Sequence, residues 1–223
     1  MSSTIERIAA EIGVPDIIAR LAEKLSPTDL QSLMLAVYAQ RSAARKPSDT
    51  LADYERSRFF GASSLPHAGF LHWTALAEQA AKDFEFLLLS PLTPLATSAA
   101  VATVGQDWSV PTARTGEVVS DPTNVLALEA ALRRRKNPEA AAHLGTVHRV
   151  LRPQAYANKT ALAHFSLLGL VSSARDTGSF ATEAGMLKRH LTALLDLFTS
   201  GLGSFEGLSL SYTLRAASPS DAR

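Results

Sequence analysis

The stretch VHRVLRPQ, residues 147–154, decides the fold. It is a β-prone apolar run that carries two arginines, Arg149 and Arg152, and stops at Pro153. Side chains alternate faces along a strand, so Val147, Arg149 and Leu151 share one face, and His148, Val150 and Arg152 share the other. One arginine therefore heads toward whatever the strand covers. A guanidinium is rarely buried without a carboxylate or phosphate beside it, so the rest of the chain has to supply that anion. Within an ordinary sheet domain, Glu117, Glu129 and Asp176 are candidate partners for Arg149.

Downstream, HFSLLGLVSSARD (164–176) is a second strand-like run, separated from the first by about a dozen polar residues without helical character. So short a connection favours an antiparallel pair, 144–152 with 164–173, since a parallel pair needs a longer crossover. Upstream, DPTNVLALEAALRRRKNP (121–138) is a bounded helix, with Asp121 as N-cap, Pro122 at the first helical position, a basic last turn and Asn137-Pro138 as the stop. Before it, FEFLLLSPLTPL (84–95) predicts a strand at 84–90 running into two prolines, and residues 97–120 predict short strands with a turn at 105–107. After the central pair, SFATEAGMLKRHLTALLDLFTSG (179–201) predicts an amphipathic helix ended by Gly201, and FEGLSLSYTLRA a last strand at 207–215.

Residues 1–60 read as helical. SPTDLQSLMLAVYAQRSAARK (26–46) has the strongest start, with Ser26 as cap, Pro27 at the first position and Asp29 in the first turn; Pro47 closes it. Residues 61–69 read as a loop, and a helix follows at roughly 70–82. The expected organisation is an N-terminal helical segment (1–60), an α+β core (61–216) and a disordered tail (217–223). The expected class is α+β, with a mixed, mainly antiparallel sheet flanked by helices; a doubly wound parallel sheet is the alternative.

Composition narrows the function. The chain is 46% hydrophobic and 19% charged, which places it among globular proteins, and its net charge of +1 gives no general footprint for nucleic acid. It contains no cysteine, which excludes disulfides and thiolate metal sites. No signal peptide or membrane span is read, so the expected location is the cytoplasm. The six histidines lack the i, i+4 spacing of a helical metal pair, and no metal site is expected. The G-x-G at 201–203 follows a helix rather than a strand, and there is no P-loop or nucleophile elbow.

Three stretches in this order resemble class II aminoacyl-tRNA synthetases, most of all histidyl-tRNA synthetase and its relative, the regulatory subunit of ATP phosphoribosyltransferase. His148-Arg149-Val150-Leu151-Arg152-Pro153-Gln154, returning at His164-Phe165, is similar to the second signature motif. DFEFLLLSPLTPL (83–95) is similar to the first, ending in Pro91, and VVSDPTNVLALEAA (118–131) to the acidic-x-Thr stretch of the histidine-type enzymes, with Asp121 and Thr123 at its marked positions. The resemblance covers roughly residues 70–215. It implies that Arg149 meets a phosphate or carboxylate, that Phe165 packs on adenine, and that Asp121 faces the amino group of an amino acid. It also implies a homodimer formed through the first motif.

Leu151 stands where the family has a glutamate that holds adenine, and the third motif, with its second ATP-binding arginine, is absent. ATP is therefore a doubtful cofactor and a full synthetase reaction is not expected. The expected function is that of a non-catalytic or degenerate paralogue, binding or regulatory, that recognises an amino acid or similar small anion through Arg149, Asp121, Thr123, Gln154, His164 and Phe165. The alternatives are an interaction scaffold with a filled pocket and a small ATP-dependent aminoacyl or nucleotidyl transferase. A protein partner fits either of the first two readings. In this scheme Arg149 points into the cleft, within salt-bridge reach of a carboxylate or bound anion, and Arg152 points to the opposite face.

Overall fold

The computed structural model of the chain describes residues 2–157, 161–203 and 209. The strand expected at 207–215 and the tail at 217–223 lie outside the described residues. The N-terminal part is helical as expected: α1 (Ser2–Ile12), the short α2 (Ile17–Ala19) continued by a π turn at Arg20–Lys24, α3 (Pro27–Ala43) and α4 (Pro47–Arg56). Ser26 caps α3 by accepting from the Asp29 N–H at 3.1 Å. Pro47 opens α4 at its first position, after α3 has already ended at Ala43.

The core begins with α5 (His67–Ala80) and β1 (Glu85–Phe86), followed by β2 (Leu92–Pro94), α6 (Thr97–Val101), β3 (Val110–Pro111), β4 (Gly116–Val118) and α7 (Pro122–Lys136). Then come β5 (Ala142–Leu151), β6 (His164–Ser173) and α8 (Ala181–Leu202). The main sheet has the order β1-β5-β6. β5 and β6 are antiparallel, from Ala142 opposite Ser173 to Leu151 opposite His164, as the short connection required. β1 lies parallel to β5 on its other side. A second, antiparallel sheet has the order β2-β4-β3. This is an α+β fold with a mixed, mainly antiparallel sheet and helices on both sides.

Three local expectations are corrected. The strand at 84–90 is only two residues long, because the chain leaves the sheet before Pro91 and re-enters pairing in the other sheet at Leu92. Thr97–Val101 is a helix, its Thr97 and Ser98 buried beneath β4, and the turn at 105–107 is a 3-10 turn at Gln106–Trp108. α8 runs past Gly201 and ends at Gly203, whose φ of 72° suits a helix stop that only glycine adopts freely.

β5 is covered on both faces. Toward α7, Ala142 and Leu144 pack on Leu126 and Ala130, while Gly169 of β6 lies under Pro122 and Leu126. Leu126 and Leu144 are fully buried, each contributing about 1.5–3 kcal/mol by apolar burial. On the opposite face, Phe86 crosses so close to Gly145 that a Cβ there would lie 2.7 Å from its ring, and Phe84, Ala81 and Ala193 of α8 form a second cluster with Leu170. No helix among the described residues is long and apolar enough to cross a membrane.

The smaller sheet is organised around one carboxylate. Glu117 is fully buried. Its Oε1 accepts from the Ser98 N–H at 2.8 Å and the Ser98 hydroxyl at 2.7 Å; its Oε2 accepts from the Ala96 N–H at 3.0 Å and the Gln106 amide at 2.6 Å. Desolvation pushes this carboxyl up, but the donors from Gln106, Ser98 and Ala96 together outweigh it and hold it below its ordinary value. A carboxyl depressed in the fold stabilises it above the unfolded value of about 4.3 and stops doing so as the pH falls through the lower folded value. Urea midpoints measured from about pH 7 to pH 3 should therefore drop below about pH 4.5 in the parent protein, with a flatter fall in Glu117→Gln. Equal acid sensitivity in both proteins would assign the loss to other groups.

Candidate functional site

The site grows from the turn end of the β5–β6 hairpin. β5 ends at Leu151, and Arg152 follows on the α7 side. Its Nε donates to the Ser120 carbonyl at 2.8 Å and its Nη2 to Asp121 Oδ2 at 3.2 Å. The guanidinium lies over the Phe165 ring, 5.5 Å from its centroid. The other carboxylate oxygen, Asp121 Oδ1, accepts from the Thr123 N–H at 3.0 Å and the Thr123 hydroxyl at 2.7 Å, the N-cap of α7 that the Asp-Pro-Thr sequence predicts. Asp121 is thus the anion that the arginines of this strand required, and the arginine that takes it is Arg152.

Arg149 stands on the opposite face and is exposed. Its guanidinium donates to His164 Nδ1, which leaves His164 Nε2–H to donate to the Gly61 carbonyl at 2.7 Å. Among the described residues no carboxylate lies within salt-bridge reach of Arg149. Glu117 is occupied as described, Glu129 binds Arg133 at 3.1 Å, and Asp176 accepts from the Gly178 N–H at 2.7 Å. The expected carboxylate partner of Arg149 is therefore corrected to the imidazole of His164. The six nominated residues fall into two sets, with Asp121, Thr123 and Phe165 gathered around Arg152, and His164 beside Arg149. Gln154 sits in the turn between the strands.

A segment from the N-terminal part closes over this turn. Arg58 Nη2 donates to the carbonyls of Pro153 at 2.6 Å and Gln154 at 2.7 Å, and the Arg58 carbonyl accepts from the Ala163 N–H at 2.9 Å. The same guanidinium stacks between Phe59 and Tyr156, at 4.8 and 5.3 Å from their centroids. Sequence reasoning missed Arg58, because 95 residues separate it from Pro153 and only the doubled aromatic in SRFFGASS marked the place. Between this strap and the hairpin lies an open cavity of about 460 Å³, walled by Ser63 and Ser64 on one side and by Tyr156, Leu162, His164 and Phe165 on the other. Tyr156, in its wall, has a buried hydroxyl with no hydrogen-bond partner among the described residues, as do the buried Gln154 amide and Arg58 Nη1 in the adjoining turn and strap.

No family model matches the chain, and no curated protein does. Among solved structures the chain is similar to histidyl-tRNA synthetase from Nostoc sp. PCC 7120, at 14% identity and a TM-score of 0.44, over 62% of this chain and 33% of that one. It is also similar to an ATP phosphoribosyltransferase regulatory subunit/histidyl-tRNA synthetase from Bacillus halodurans, at 14% identity and a TM-score of 0.45, over 61% of this chain and 37% of that one. The chain thus spans roughly a third of the length of either protein. The likeness concerns the fold and nothing finer.

The two arginines should separate in stability measurements. Arg152→Ala removes charge-assisted bonds to a carbonyl and a half-buried carboxylate, at a cost of about 1–3 kcal/mol. Arg149→Ala, at an exposed position, should cost about 0.5 kcal/mol or less. Chemical denaturation of both variants checks this, and equal losses would contradict the assignment of Arg152 as the structural partner of Asp121.

Proposed function

We propose that the chain is a binding or regulatory protein on a class II synthetase-like core, recognising an amino acid or similar small anion without activating it. The observation that carries this reading is the open cavity at the hairpin end, with the buried Tyr156 hydroxyl in its wall, unpartnered among the described residues. A buried hydroxyl left unpaired costs free energy, and a polar ligand seated beside it would recover it. In this reading Arg149, exposed and held by His164, offers a planar bidentate cation to a carboxylate. Gln154 supplies an amide, Phe165 and Tyr156 supply flat apolar walls, and Asp121 and Thr123 fix Arg152 behind Phe165. Leu151, in place of a glutamate, argues against adenine as the main contact. The Arg58 strap favours a second reading, an interaction scaffold whose hairpin end is already engaged by its own chain.

A thermal-shift screen of amino acids, sulfate, phosphate and ATP discriminates these readings. A ligand at about 100 times its Kd should stabilise the protein by about 2.7 kcal/mol, or roughly 5–10 °C in Tm for a chain of this size. Arg149→Ala should lose that shift while melting close to the parent. No shift with any compound would leave the scaffold, and a shift with ATP alone would favour the transferase.

We further propose a second copy of this chain as partner, along residues 84–95. The support is a row of apolar side chains there with no cover, in which Leu88 is 100% exposed and Leu92 and Leu95 are also exposed. A specific contact should bury more than about 1,000 Å². Light scattering at micromolar concentration should return a dimer mass that Leu88→Asp lowers to the monomer. A monomeric parent would remove the second copy from the reading.

A further inference from the structure

At the end of the β5–β6 ladder away from the cavity, three side chains from three elements meet. His143 of β5 and Ser172 of β6 are directly opposite in register. Ser172 Oγ lies 2.8 Å from His143 Nδ1 and 2.8 Å from Nε2 of His190 on α8. Phe84 stands edge-on to both imidazoles, at centroid distances of 6.0 and 5.0 Å. A hydroxyl has one proton to give and lone pairs to receive. With both contacts made, Ser172 donates to one imidazole nitrogen and accepts an N–H from the other. The chain works only while one of those two nitrogens carries no proton.

We infer that His143, Ser172 and His190 form a one-proton latch that docks α8 on the sheet, and that α8 is released when the imidazoles are protonated. Once both ring nitrogens carry hydrogen, the Ser172 proton has no acceptor between them. The new charge is also poorly placed. Arg189 on α8 is the adjacent cation, held by Asp83 at 3.1 Å. Asp83 and Lys82 belong to the turn after α5, and Arg149 lies at the opposite end of the same sheet face. Glu78 of α5 and Asp196 of α8 are exposed. Only Asp83 favours protonation of His143, against burial and Arg189. Burial, His143 and Arg189 all oppose it at His190.

Helix α8 packs on α5, with Trp73 against Gly201 and Leu197 beside Phe70 and Trp73, but it buries few side chains completely. Ala193 is its one buried residue among those described, while Leu187, Leu194, Leu195, Phe198 and Leu202 are exposed. A helix with few fully buried side chains belongs to the less stable parts of a structure, where a single hydrogen-bond chain bears on whether it stays docked. Both histidines titrate below their ordinary value in the fold, chiefly through desolvation. The folded state therefore binds fewer protons than the released one just below pH 6.5. Docking is complete above about pH 6.5 and weakens as the pH falls from there through the lower folded values.

The chain carries its own reporter. Trp73 of α5 packs on Gly201 of α8 so closely that a methyl group there would collide with its ring. The sequence has two tryptophans, so Trp108→Phe leaves Trp73 alone. In that background, Trp73 emission should move to longer wavelength on acidification from about pH 8 to pH 5, with a midpoint below about 6.5. Far-UV circular dichroism should retain the strand signal across the same range. His143→Asn with His190→Gln puts neutral amides near the two nitrogens and should abolish the shift. If that double variant is not folded at pH 8, ring-proton NMR of the parent histidines decides: His143 and His190 titrating together with the Trp73 change supports the latch. The latch is overturned by an unchanged shift in the folded double variant, by no shift in the parent, by histidines that titrate independently of Trp73, or by fluorescence and dichroism changing together as one global unfolding.

Discussion

A strand covered by helices on both faces can hold charge only where the cover stops, and β5 obeys that constraint along its whole length. From Ala142 to Val150, the side chains that face α7 are apolar, threonine or histidine. Thr146 satisfies its hydroxyl on the Leu87 carbonyl at 2.8 Å, and burial holds His148 below the ordinary histidine value. The arginines come only beyond the ends of the covering helices. Arg152 appears where α7 begins and finds the capping carboxylate of that helix. Arg149 appears where α5 and α8 no longer reach and finds the strap. Each arginine marks the edge of a packed layer, and the candidate site exists because both layers end at the same place.

The same double cover explains what could be read from sequence and what could not. The antiparallel pairing of 144–152 with 164–173 follows from a connection too short for a crossover, and the α7 cap follows from Asp-Pro-Thr. Both are local. Asp121 was legible for the same reason, since its capping role needs only the two residues after it. The facing of the arginines was not legible. Alternation assigns Arg149 and Arg152 to opposite faces but cannot say which face looks toward Asp121 when both are buried. Thr97–Val101 misled because its small and β-branched residues suit either state, and the choice went to a helix when Ser98 met Glu117. Arg58 gave no signal, because nothing in a guanidinium 95 residues away points to two particular carbonyls.

Glu117 and Asp121 show two ways of handling an acid only four residues apart. Glu117 is buried with no cation beside it among the described residues and is held in its ionised form by directed donors, two backbone N–H groups, a hydroxyl and an amide. Such donors are fixed by α6 and the 3-10 turn, so the carboxylate holds the small sheet to its flanking segments. Asp121 is half-exposed and shares itself between a helix terminus and Arg152. The first arrangement is rigid and internal. The second sits at a boundary where another charged group could compete for the guanidinium, which is why the chemistry of the hairpin end centres on the arginines rather than on the buried glutamate.

Read from one end to the other, the sheet face toward α5 and α8 changes character in steps. Ser172 bridges His143 and His190; Gly145 and Leu170 lie under Phe86; Val147 and Leu168 share an apolar cavity wall with Phe70 and Trp73; Arg149 meets His164 under the strap. The polar groups stand at the two ends and the apolar ones between them. Helix α8 contributes to the first three steps and the N-terminal segment to the last. Ser166 belongs to the third step and is cross-strand partner to Arg149, with its hydroxyl buried and unpartnered among the described residues. It stands where the cover passes from α8 to the strap, so a shift of α8 would change the packing beside Arg149 before it reached the α7 face. The hydrogen-bonded ladder itself, continuous over ten residues of each strand, gives that shift no easy path through the backbone. The side chains of this face are the continuous packing that joins its two polar ends.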